Sequence, residues 1–445
     1  MYARRAVTPF LAAALCAGGL AADEVPSVDR APVALLLADS GELARWIVER
    51  SPEARAAAAR LGQARADEKS SHVAPNPSIS LFLNDVPVGT SNPPGLGLGD
   101  AAIYGFSVSQ TLELGKRGPR IASARLRLSS AAETYIGTLS VTLADARAAL
   151  GRLAYLAVRK EALEGSLVAA RENLDLQRTR LDNGDISGND HDRLLVDAMV
   201  LESDFGQTAA DFDAALAACR AALHAPCDPA GAASDLLAVA APVPARETGW
   251  EEAVAGRPDL KALDLLARSA DEDATLARRR AIPDPALSVG YTRDRLVISG
   301  DQPRTLAFGV SLALPLFDHG QHDAARALQH AVETRSAAAA QAALARADVE
   351  SLRARRLALE GSVSRLRAEA LPRSKDVLDS TVRAVNQGEL SMTDLLLARR
   401  THTDLVLKVL DLEFAAFLAR NDLRRALGLD GEMLRGLEGV GWKTE

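Results

Sequence analysis

The stretch from Phe106 to Gly118, FSVSQTLELGKRG, decides the fold, because the chain contains it twice. Laid over Phe308 to Gly320, FGVSLALPLFDHG, it shows six identities in thirteen positions at an offset of 202 residues. Both copies begin with apolar residues that alternate with small or polar ones, the period-two pattern of a β-strand with one apolar face. A strand that recurs at a long offset predicts a duplicated chain.

Three more pairs of segments match in the same order and at a similar offset. They are Ser51-Pro52-Glu53 with Arg257-Pro258-Asp259, Asn76-Pro77-Ser78 with Asp284-Pro285-Ala286, and GDISGND from Gly184 with GELSMTD from Gly388. Four ordered matches indicate a tandem duplication. We therefore predict two structural repeats, residues 23–246 and 247–428, and a C-terminal tail, residues 429–445.

Within each repeat the sequence predicts a helix, a β-hairpin, a long helix, a tight turn and a second helix. The first repeat has these elements at about 40–71, 77–113, 119–183, 184–190 and from there to about 224. The second repeat has them at about 250–281, 284–315, 321–387, 388–394 and from there to about 427. Long Leu- and Ala-rich helices with no globular core to lie on should pack on each other as coiled coils. Pro372 should kink the second long helix, because proline removes a helical hydrogen bond.

The two predicted hairpins have one apolar face and one small or polar face. Ile79, Leu81 and Leu83 alternate with serine and asparagine, and Leu306 and Phe308 alternate with small residues in the second copy. Four strands cannot close a barrel, and an exposed apolar face is an aggregation hazard in water. Several chains could complete a transmembrane barrel with that face toward lipid. The alternative is a soluble sheet whose apolar face packs on the helices.

The N-terminus has the three parts of a secretory signal. Two arginines precede an apolar run that ends in small residues, so residues 1–22 are predicted to be removed on export. Acylation at Cys16 is an alternative, although Leu15 is not the small residue that precedes such a cysteine. Cys219 and Cys227 could form a disulfide in an oxidising compartment, or could remain two unpaired thiols at a helix end.

The composition of the 445 residues excludes several classes of protein. With 48% hydrophobic and 25% charged residues, the chain is not a disordered one. No run of about 18 apolar residues follows the N-terminal segment, so a bundle of transmembrane helices is excluded. The net charge of −7 argues against nucleic acid as a partner.

The turn after each long helix contains a glycine, a serine three residues later and an aspartate three residues after the serine. These residues are Gly184, Ser187 and Asp190 in the first turn, and Gly388, Ser391 and Asp394 in the second. The glycines suit the left-handed conformation that ends a helix, and the serines suit the N-cap of the next helix. Capping alone accounts for the motif. A functional interpretation adds that the aspartates surround an opening and that the turns dock a partner.

The order of signal peptide, duplicated helix, hairpin, long helix and capped turn resembles the TolC-like outer membrane factors of Gram-negative bacteria, the outer membrane efflux proteins. The resemblance covers nearly the whole mature chain. QTLELGKRGPR from Gln110 and LPLFDHGQ from Leu314 are most similar to the heavy-metal cation branch of CzcC- and CusC-like channels. That branch commonly has Gly-Gly-Lys-Arg where this chain has Leu114-Gly115-Lys116-Arg117, with one glycine fewer.

The resemblance implies a mainly α-helical fold with a small transmembrane β-barrel. Three chains would each contribute four strands to a twelve-stranded barrel in the outer membrane, and coiled-coil hairpins would form a tube across the periplasm. The implied partners are two further copies of the chain, outer membrane lipid, a periplasmic adaptor (membrane fusion) protein and an inner-membrane RND pump. No cofactor is implied.

The resemblance also implies roles for the turns. The adaptor-docking turns would contain Gly184, Ser187, Gly388 and Ser391. Asp394 falls where the family carries an aspartate in the periplasmic constriction, and Asp190 is its counterpart in the first repeat. One turn further on, where some members place another aspartate, this chain has Leu397.

The function implied is that of a passive exit duct for heavy-metal cations, which an RND transporter pumps through an adaptor. The same architecture suits multidrug efflux or type I protein secretion, and a periplasmic coiled-coil scaffold is the alternative of another class. No nucleophile elbow, HExxH motif or catalytic triad spacing indicates an enzyme. His319, His322 and His330 cluster after the second hairpin, but a solvated helix start explains them and no metal site is assigned.

Overall fold

The computed structural model of the chain describes residues 30–88, 95, 97–228, 249–295 and 302–437. The predicted signal segment 1–22, with Cys16, lies outside the described residues. The elements of the first half are β1 (Ala31–Pro32), α1 (Val33–Ala38), α2 (Ser40–Arg50), α3 (Pro52–Ser71), β2 (Ser78–Asn84), α4 (Leu98–Ala101), β3 (Ile103–Thr111), α5 (Arg117–Asp182), α6 (Gly188–Leu223) and β4 (Cys227–Asp228).

The second half repeats this order with its own long helices and hairpin. Its elements are α7 (Trp250–Ala255), α8 (Pro258–Arg279), β5 (Ala286–Arg293), β6 (Arg304–Ser311), α9 (Gln321–Arg365), a π-helical turn (Leu366–Ala370), α10 (Leu371–Asn386), α11 (Met392–Ala426) and α12 (Leu429–Gly436). The prediction of a mainly helical chain with four principal strands is confirmed. With 66 residues, α5 is about 100 Å long.

Each opening helix, expected as one continuous element, is divided in two by a proline. Ser51 lies between α2 and α3, and its hydroxyl accepts the Ala54 amide at 3.2 Å. Pro52 follows as the first residue of α3, where its missing amide hydrogen costs nothing. In the second repeat Pro258 begins α8 in the same way. The predicted single helices were wrong, because proline cannot continue a helix but readily begins one.

The interruption predicted at Pro372 takes the form of one wide turn. The π-helical residues Leu366–Ala370 precede α10, and the Leu371 amide donates to the carbonyl of Leu366, five residues back. Proline has no amide to donate, so the turn before it must rearrange its hydrogen bonds. The corresponding part of α5 is regular α-helix.

The principal strands form one antiparallel sheet in the order β2-β3-β5-β6. The hairpin of each repeat is complete, and the repeats meet in the middle of the sheet where β3 pairs with β5. A Cβ atom on Gly105 would lie 2.2 Å from the Tyr291 carbonyl oxygen and 2.7 Å from the Phe82 ring. Only glycine allows this close approach of strand and ring.

The main core surrounds the middle of α5, where α2, α6, α11 and α12 pack against it. Phe417 of α11 is fully buried, and a Cβ atom on Gly151 would lie 2.1 Å from its ring. Phe414 stacks on Tyr155 with ring centroids 4.6 Å apart. The absence of a side chain at Gly151 therefore lets α11 pack closely on α5.

The segment 429–445, expected to be a tail, begins with a packed helix. In α12 the Leu434 side chain is buried, and the buried Asp430 carboxylate accepts hydrogen bonds from Arg147 at 3.1 and 3.3 Å. Asn421 also accepts from Arg147, at 2.7 Å. The prediction of a tail was wrong for this part, because short-range pattern does not show that Asp430 has a buried partner on α5.

The start of the described chain is fixed to the end of α6. Cys219 and Cys227 are joined by a disulfide, and β4, which contains Cys227, pairs in parallel with β1. The Trp46 indole donates to the Leu223 carbonyl at 3.1 Å beside them. Among the described helices, each is too short or too polar to serve as a membrane span.

Candidate channel tip and strand–helix junction

The first long helix ends in a tight turn that glycine makes possible. Gly184 has φ of +80°, and the amide of the next residue, Asp185, donates to the Arg180 carbonyl at 2.8 Å. Ser187 then caps α6, because its hydroxyl oxygen accepts the Asp190 amide at 3.2 Å. The same hydroxyl donates to the Asp190 carboxylate at 2.8 Å.

The second long helix ends in the same geometry. Gly388 has φ of +78°, and the Ser391 hydroxyl accepts the Asp394 amide at 3.3 Å. The Asp394 carboxylate accepts the Ser391 hydroxyl at 2.7 Å and the Ser391 amide at 3.1 Å, which completes a capping box. The hydrogen bond from the Ser391 hydroxyl, and to a smaller extent that from the Ser391 amide, holds the pKa of Asp394 below its ordinary value. Both aspartates therefore lie in the first turn of a helix that a serine caps.

The structure brings the two tips together through Arg193, a residue that sequence reasoning missed. Its guanidinium lies 4.0 Å from the Asp190 carboxylate and 3.4 Å from the Thr393 hydroxyl, next to Asp394. The repeat alignment places the exposed Leu397 at the equivalent position. The difference between arginine and leucine at equivalent positions of two otherwise matching turns is the feature of the sequence that could have indicated a role for Arg193. One basic residue therefore offsets part of the acidic charge of the tips.

Above the tips, polar contacts join the hairpin of α5 and α6 to that of α10 and α11. The Arg399 guanidinium donates to the backbone carbonyl of Ala169 in α5 at 3.2 Å, and the Ser166 and Thr403 hydroxyls lie 3.5 Å apart. Burial raises the pKa of Asp197, which Arg400 opposes. Burial also lowers the pKa of the Arg399 guanidinium. A groove of about 490 Å³ runs beside these groups.

The apolar face of the sheet is exposed rather than covered by helices. The exposed side chains on this face are Ile79, Leu81, Leu83, Phe106, Val108, Leu287, Val289, Leu306, Phe308 and Val310. The opposite face carries mainly serine, glycine, threonine and alanine, together with Phe82, Asn84 and Ile103. The alternative of a sheet whose apolar face packs on the helices therefore does not describe this chain. In one copy, β2 and β6 are the two edges of the sheet.

The Leu-Gly-Lys-Arg segment joins the sheet to the helices and one repeat to the other. Asp284 of the second repeat accepts the Leu114 amide at 2.9 Å and the Lys116 ammonium at 2.6 Å. Gly115 has φ of +73°, and Arg279 donates to its carbonyl at 2.7 Å. Burial acts to raise the pKa of Asp284, but the hydrogen bonds from Lys116 and Leu114 outweigh it and leave the pKa lowered. The motif is thus a cross-repeat junction.

The clustered histidines do not form a metal centre with neighbouring groups. Across the described ranges, no three His, Cys, Asp or Glu side chains converge in a way that could hold a metal ion. His330 lies 3.4 Å from Glu333, one turn along the same helix.

Comparisons with known proteins agree with this architecture. Residues 250–429 match the family described as outer membrane efflux protein. The nickel and cobalt resistance protein CnrC of Cupriavidus metallidurans is 28% identical over 336 residues, which cover 74% of this chain and 72% of CnrC.

Solved structures with low sequence identity share the fold. CusC, described for its folding and transmembrane channel formation, aligns with a TM-score of 0.75 at 16% identity and covers 87% of this chain and 92% of its own. The open state of the MtrE outer membrane channel of Neisseria gonorrhoeae aligns with a TM-score of 0.72 at 19% identity, covering 90% and 93%. The helical region with its four-stranded sheet, the family match over residues 250–429, the CnrC relative and these solved structures all agree with the predicted resemblance to TolC-like outer membrane factors.

Proposed function

We propose that the chain forms a trimeric outer membrane channel, the exit duct of a tripartite system that exports heavy-metal cations from a Gram-negative cell. An inner-membrane RND transporter would pump the cations, and a periplasmic adaptor would join the pump to the channel. The chain would be exported by its signal, residues 1–22. Its sheet would then lie in the outer membrane, and its helices would extend into the periplasm.

The observation that carries the channel is the four-stranded sheet with an exposed apolar face and two edges. In a membrane every backbone donor and acceptor needs a partner, so the edges β2 and β6 must be paired. Three copies give twelve strands, an even number of the kind that closes such barrels. The apolar face then meets lipid, and the serine- and glycine-rich face lines the duct.

The acidic tips and the CnrC relative support cations as the cargo. Asp190 and Asp394 sit at adjacent helix starts, so three copies would place six carboxylates around one opening. A ring of carboxylates favours cations without holding them tightly. CnrC is named for nickel and cobalt resistance, and it is similar to this chain over most of its length.

The turns that cap the helices would dock the adaptor. Gly184 and Gly388 fix the shape of the turns, and Ser187 and Ser391 fix the start of the returning helices. Opening would separate the two hairpins, because the contacts between them near the tips are largely polar. Such contacts exchange with water at small net cost.

The test is growth of a deletion strain, with and without the gene, on nickel, cobalt, zinc, cadmium, copper and silver beside a panel of dyes and antibiotics. Metal sensitivity of the deletion strain that the returned gene relieves supports the proposal. Sensitivity to drugs alone would keep the channel and contradict its cargo. Loss of protein secretion alone would indicate a type I secretion duct.

A second measurement separates the channel from a periplasmic coiled-coil scaffold. The purified channel should require detergent and should run as an SDS-resistant oligomer before heating, because its apolar sheet is exposed in one copy. A scaffold would remain soluble without detergent, and that result would contradict the proposal.

A further inference from the structure

The two hairpins are superimposable in register as well as in order. Ser80 pairs with Ser107 in the first hairpin, and Ser288 pairs with Gly309 in the second. The first strands are therefore offset by 208 residues and the second strands by 202, and these two offsets convert every pair of the first ladder into a pair of the second. The sheet thus repeats one unit twice without a slip.

One contact in the sheet, that of β3 with β5, joins the end of one unit to the start of the next. In it Phe106 lies opposite Tyr291, and Ser109 lies opposite Ser288. Because β6 is the counterpart of β3 and β2 is the counterpart of β5, the free edges of β6 and β2 are equivalent to the two edges that meet in this contact. Because the units repeat, the geometry of the β3–β5 contact specifies how β6 can receive a further unit.

We propose that β6 of one copy pairs with β2 of a second copy in the register of the β3–β5 contact. Applying the two offsets places Phe308 opposite Leu83 and Ser311 opposite Ser80 of the second copy. Both apolar residues then lie on the lipid face and both serines on the inner face, as antiparallel pairing requires. The inference rests on the proposed trimeric channel and adds the register and the residues of its subunit boundary.

The strand–helix junction extends the same boundary. Within one copy, Asp284 accepts the Leu114 amide and the Lys116 ammonium. At the boundary the equivalent of Asp284 is Asn76 of the second copy. The counterparts of Leu114 and Lys116 are Leu316 and Asp318.

The substituted residues are chemically complementary. Asn76 has an amide oxygen that accepts the Leu316 amide and an NH₂ group that donates to the Asp318 carboxylate. An ion pair inside the chain is therefore replaced by an amide–carboxylate hydrogen bond between chains. Asp318 Oδ1 already accepts the Gly320 amide at 2.8 Å, and a carboxylate can accept with its second oxygen as well.

Exposure shows that this surface lacks its neighbour in one copy. Leu314 and Leu316 are 66% and 74% exposed, whereas their counterparts Leu112 and Leu114 are 41% and 45% exposed. The Leu112 amide donates to the Pro285 carbonyl at 2.9 Å, and Pro77 is the equivalent of Pro285. The Leu316 amide is the counterpart of the Leu114 amide, which donates to Asp284, and in one copy it donates instead to the Leu314 carbonyl at 2.9 Å.

Below the sheet, the long helices also differ in exposure, with the second repeat more exposed than the first. Ser130 of α5 is buried against α8, where its hydroxyl donates to the Ala262 carbonyl at 2.7 Å. Its counterpart Val332 on α9 is exposed. A second copy whose α3 covers α9, as α8 covers α5, buries this apolar residue.

Cysteine cross-linking tests the register. The pair Ser311→Cys/Ser80→Cys should form covalent dimers and trimers on a non-reducing gel of the detergent-purified channel. The pair Ser311→Cys/Ser78→Cys is displaced by two residues and should not cross-link, because the distance between its Cα atoms exceeds the span of a disulfide. Ser109→Cys/Ser288→Cys is the matched control, since it should close within one chain and leave the monomer mass unchanged. The unsubstituted chain controls for the native cysteines.

A charge exchange tests the junction. Asn76→Asp opposes two carboxylates and should lower the temperature at which the SDS-resistant trimer dissociates by about 5 °C. Adding Asp318→Lys recreates the Lys116–Asp284 pair between chains and should restore the temperature. Asn84→Asp, at the other end of β2, is the control and should have little effect.

The outcomes separate the inference from the function on which it rests. A chain that forms no oligomer in detergent contradicts the proposed channel. An SDS-resistant trimer that cross-links in the displaced pair, or is unaffected by Asn76→Asp, keeps the channel and overturns the register or the junction, respectively.

Discussion

The long helix of the first repeat runs unbroken for 66 residues, whereas the equivalent segment of the second is divided by a π-helical turn ahead of Pro372. The first passes through the core, where Phe417 packs on Gly151, but most of α9 is exposed in one copy. The repeats also share their caps and strand register. The duplication therefore kept what each repeat needs for its own folding and changed what each presents to different neighbours.

The largest expected effect concerns the core that only the first long helix carries. Gly151→Ala should lower the free energy of unfolding by about 3 kcal/mol, because the added methyl group collides with the Phe417 ring. The matched control is Gly165→Ala in the same helix, where no atom beyond the helix's own backbone lies within 4 Å of the new Cβ. That change should stabilise the chain by about 0.5–1 kcal/mol. Guanidinium unfolding of the detergent-purified protein measures both, and equal effects would contradict the packing.

A smaller effect is expected where the repeats differ at the strand–helix junction. Asp284→Asn should cost about 1–2 kcal/mol at pH 7, because it breaks a charged hydrogen bond whose groups are only 14% and 21% exposed. Glu202→Gln, which breaks the exposed Arg171 pair, is the control and should cost less than about 0.5 kcal/mol.

The same junction should respond to pH in a defined direction. The pKa of Asp284 is lowered in the folded chain, so its contribution to stability is complete above the unfolded value and is lost as the pH falls through the folded one. The difference between Asp284→Asn and the unsubstituted chain should therefore shrink as the pH is lowered below 3.8. A stability difference that stays constant across this pH range would show that the Lys116–Asp284 ion pair is not its cause.

Hydrogen exchange distinguishes the two long helices. Amides of residues 366–370 should exchange roughly tenfold faster than those of residues 164–168, their counterparts in α5, because a π turn has weaker hydrogen bonds. Pro372→Ala should reduce the difference by allowing a regular helix. Equal protection of the two segments in the unsubstituted protein would show that the interruption has no dynamic consequence.

The smallest effect concerns the asymmetry of the tips. Arg193→Leu, which copies Leu397 into the first tip, should raise cation over anion permeability by roughly twofold, since one positive charge per copy is removed. Leu397→Arg should lower it by a similar factor. Reversal potentials in planar bilayers measure both, and shifts in the same direction would exclude an electrostatic origin.

The sequence predicted what depends on local pattern. Period-two alternation located β2, β3, β5 and β6, and the spacing of glycine, serine and aspartate located both caps. It did not predict contacts between distant segments. Lys116 and Asp284 are 168 residues apart, and neither has a local feature that names its partner. The helix α12 was missed for the same reason, because its stability depends on burial against α5.

The sheet edges were predicted only in part from the sequence. Alternation predicted an apolar face, and the exposed strands of one copy agree with that pattern. The register could not be read from alternation, because a slip of two residues preserves the faces. Only the paired strands supplied the two offsets, 208 and 202, that define it.

In the proposed cation-conducting duct, selectivity arises at the capped tips. The direct measurement is the reversal potential of the purified channel in a planar bilayer under a KCl gradient, for the unsubstituted protein and for Asp190→Asn/Asp394→Asn. Asparagine keeps an oxygen for the cap but removes the charge. The control Asp185→Asn/Glu389→Gln removes the same charge from the same turns without touching the caps. The unsubstituted channel should be cation-selective, Asp190→Asn/Asp394→Asn should largely abolish that selectivity, and the control should largely preserve it. Unchanged selectivity in Asp190→Asn/Asp394→Asn would show that the tips do not select the cargo.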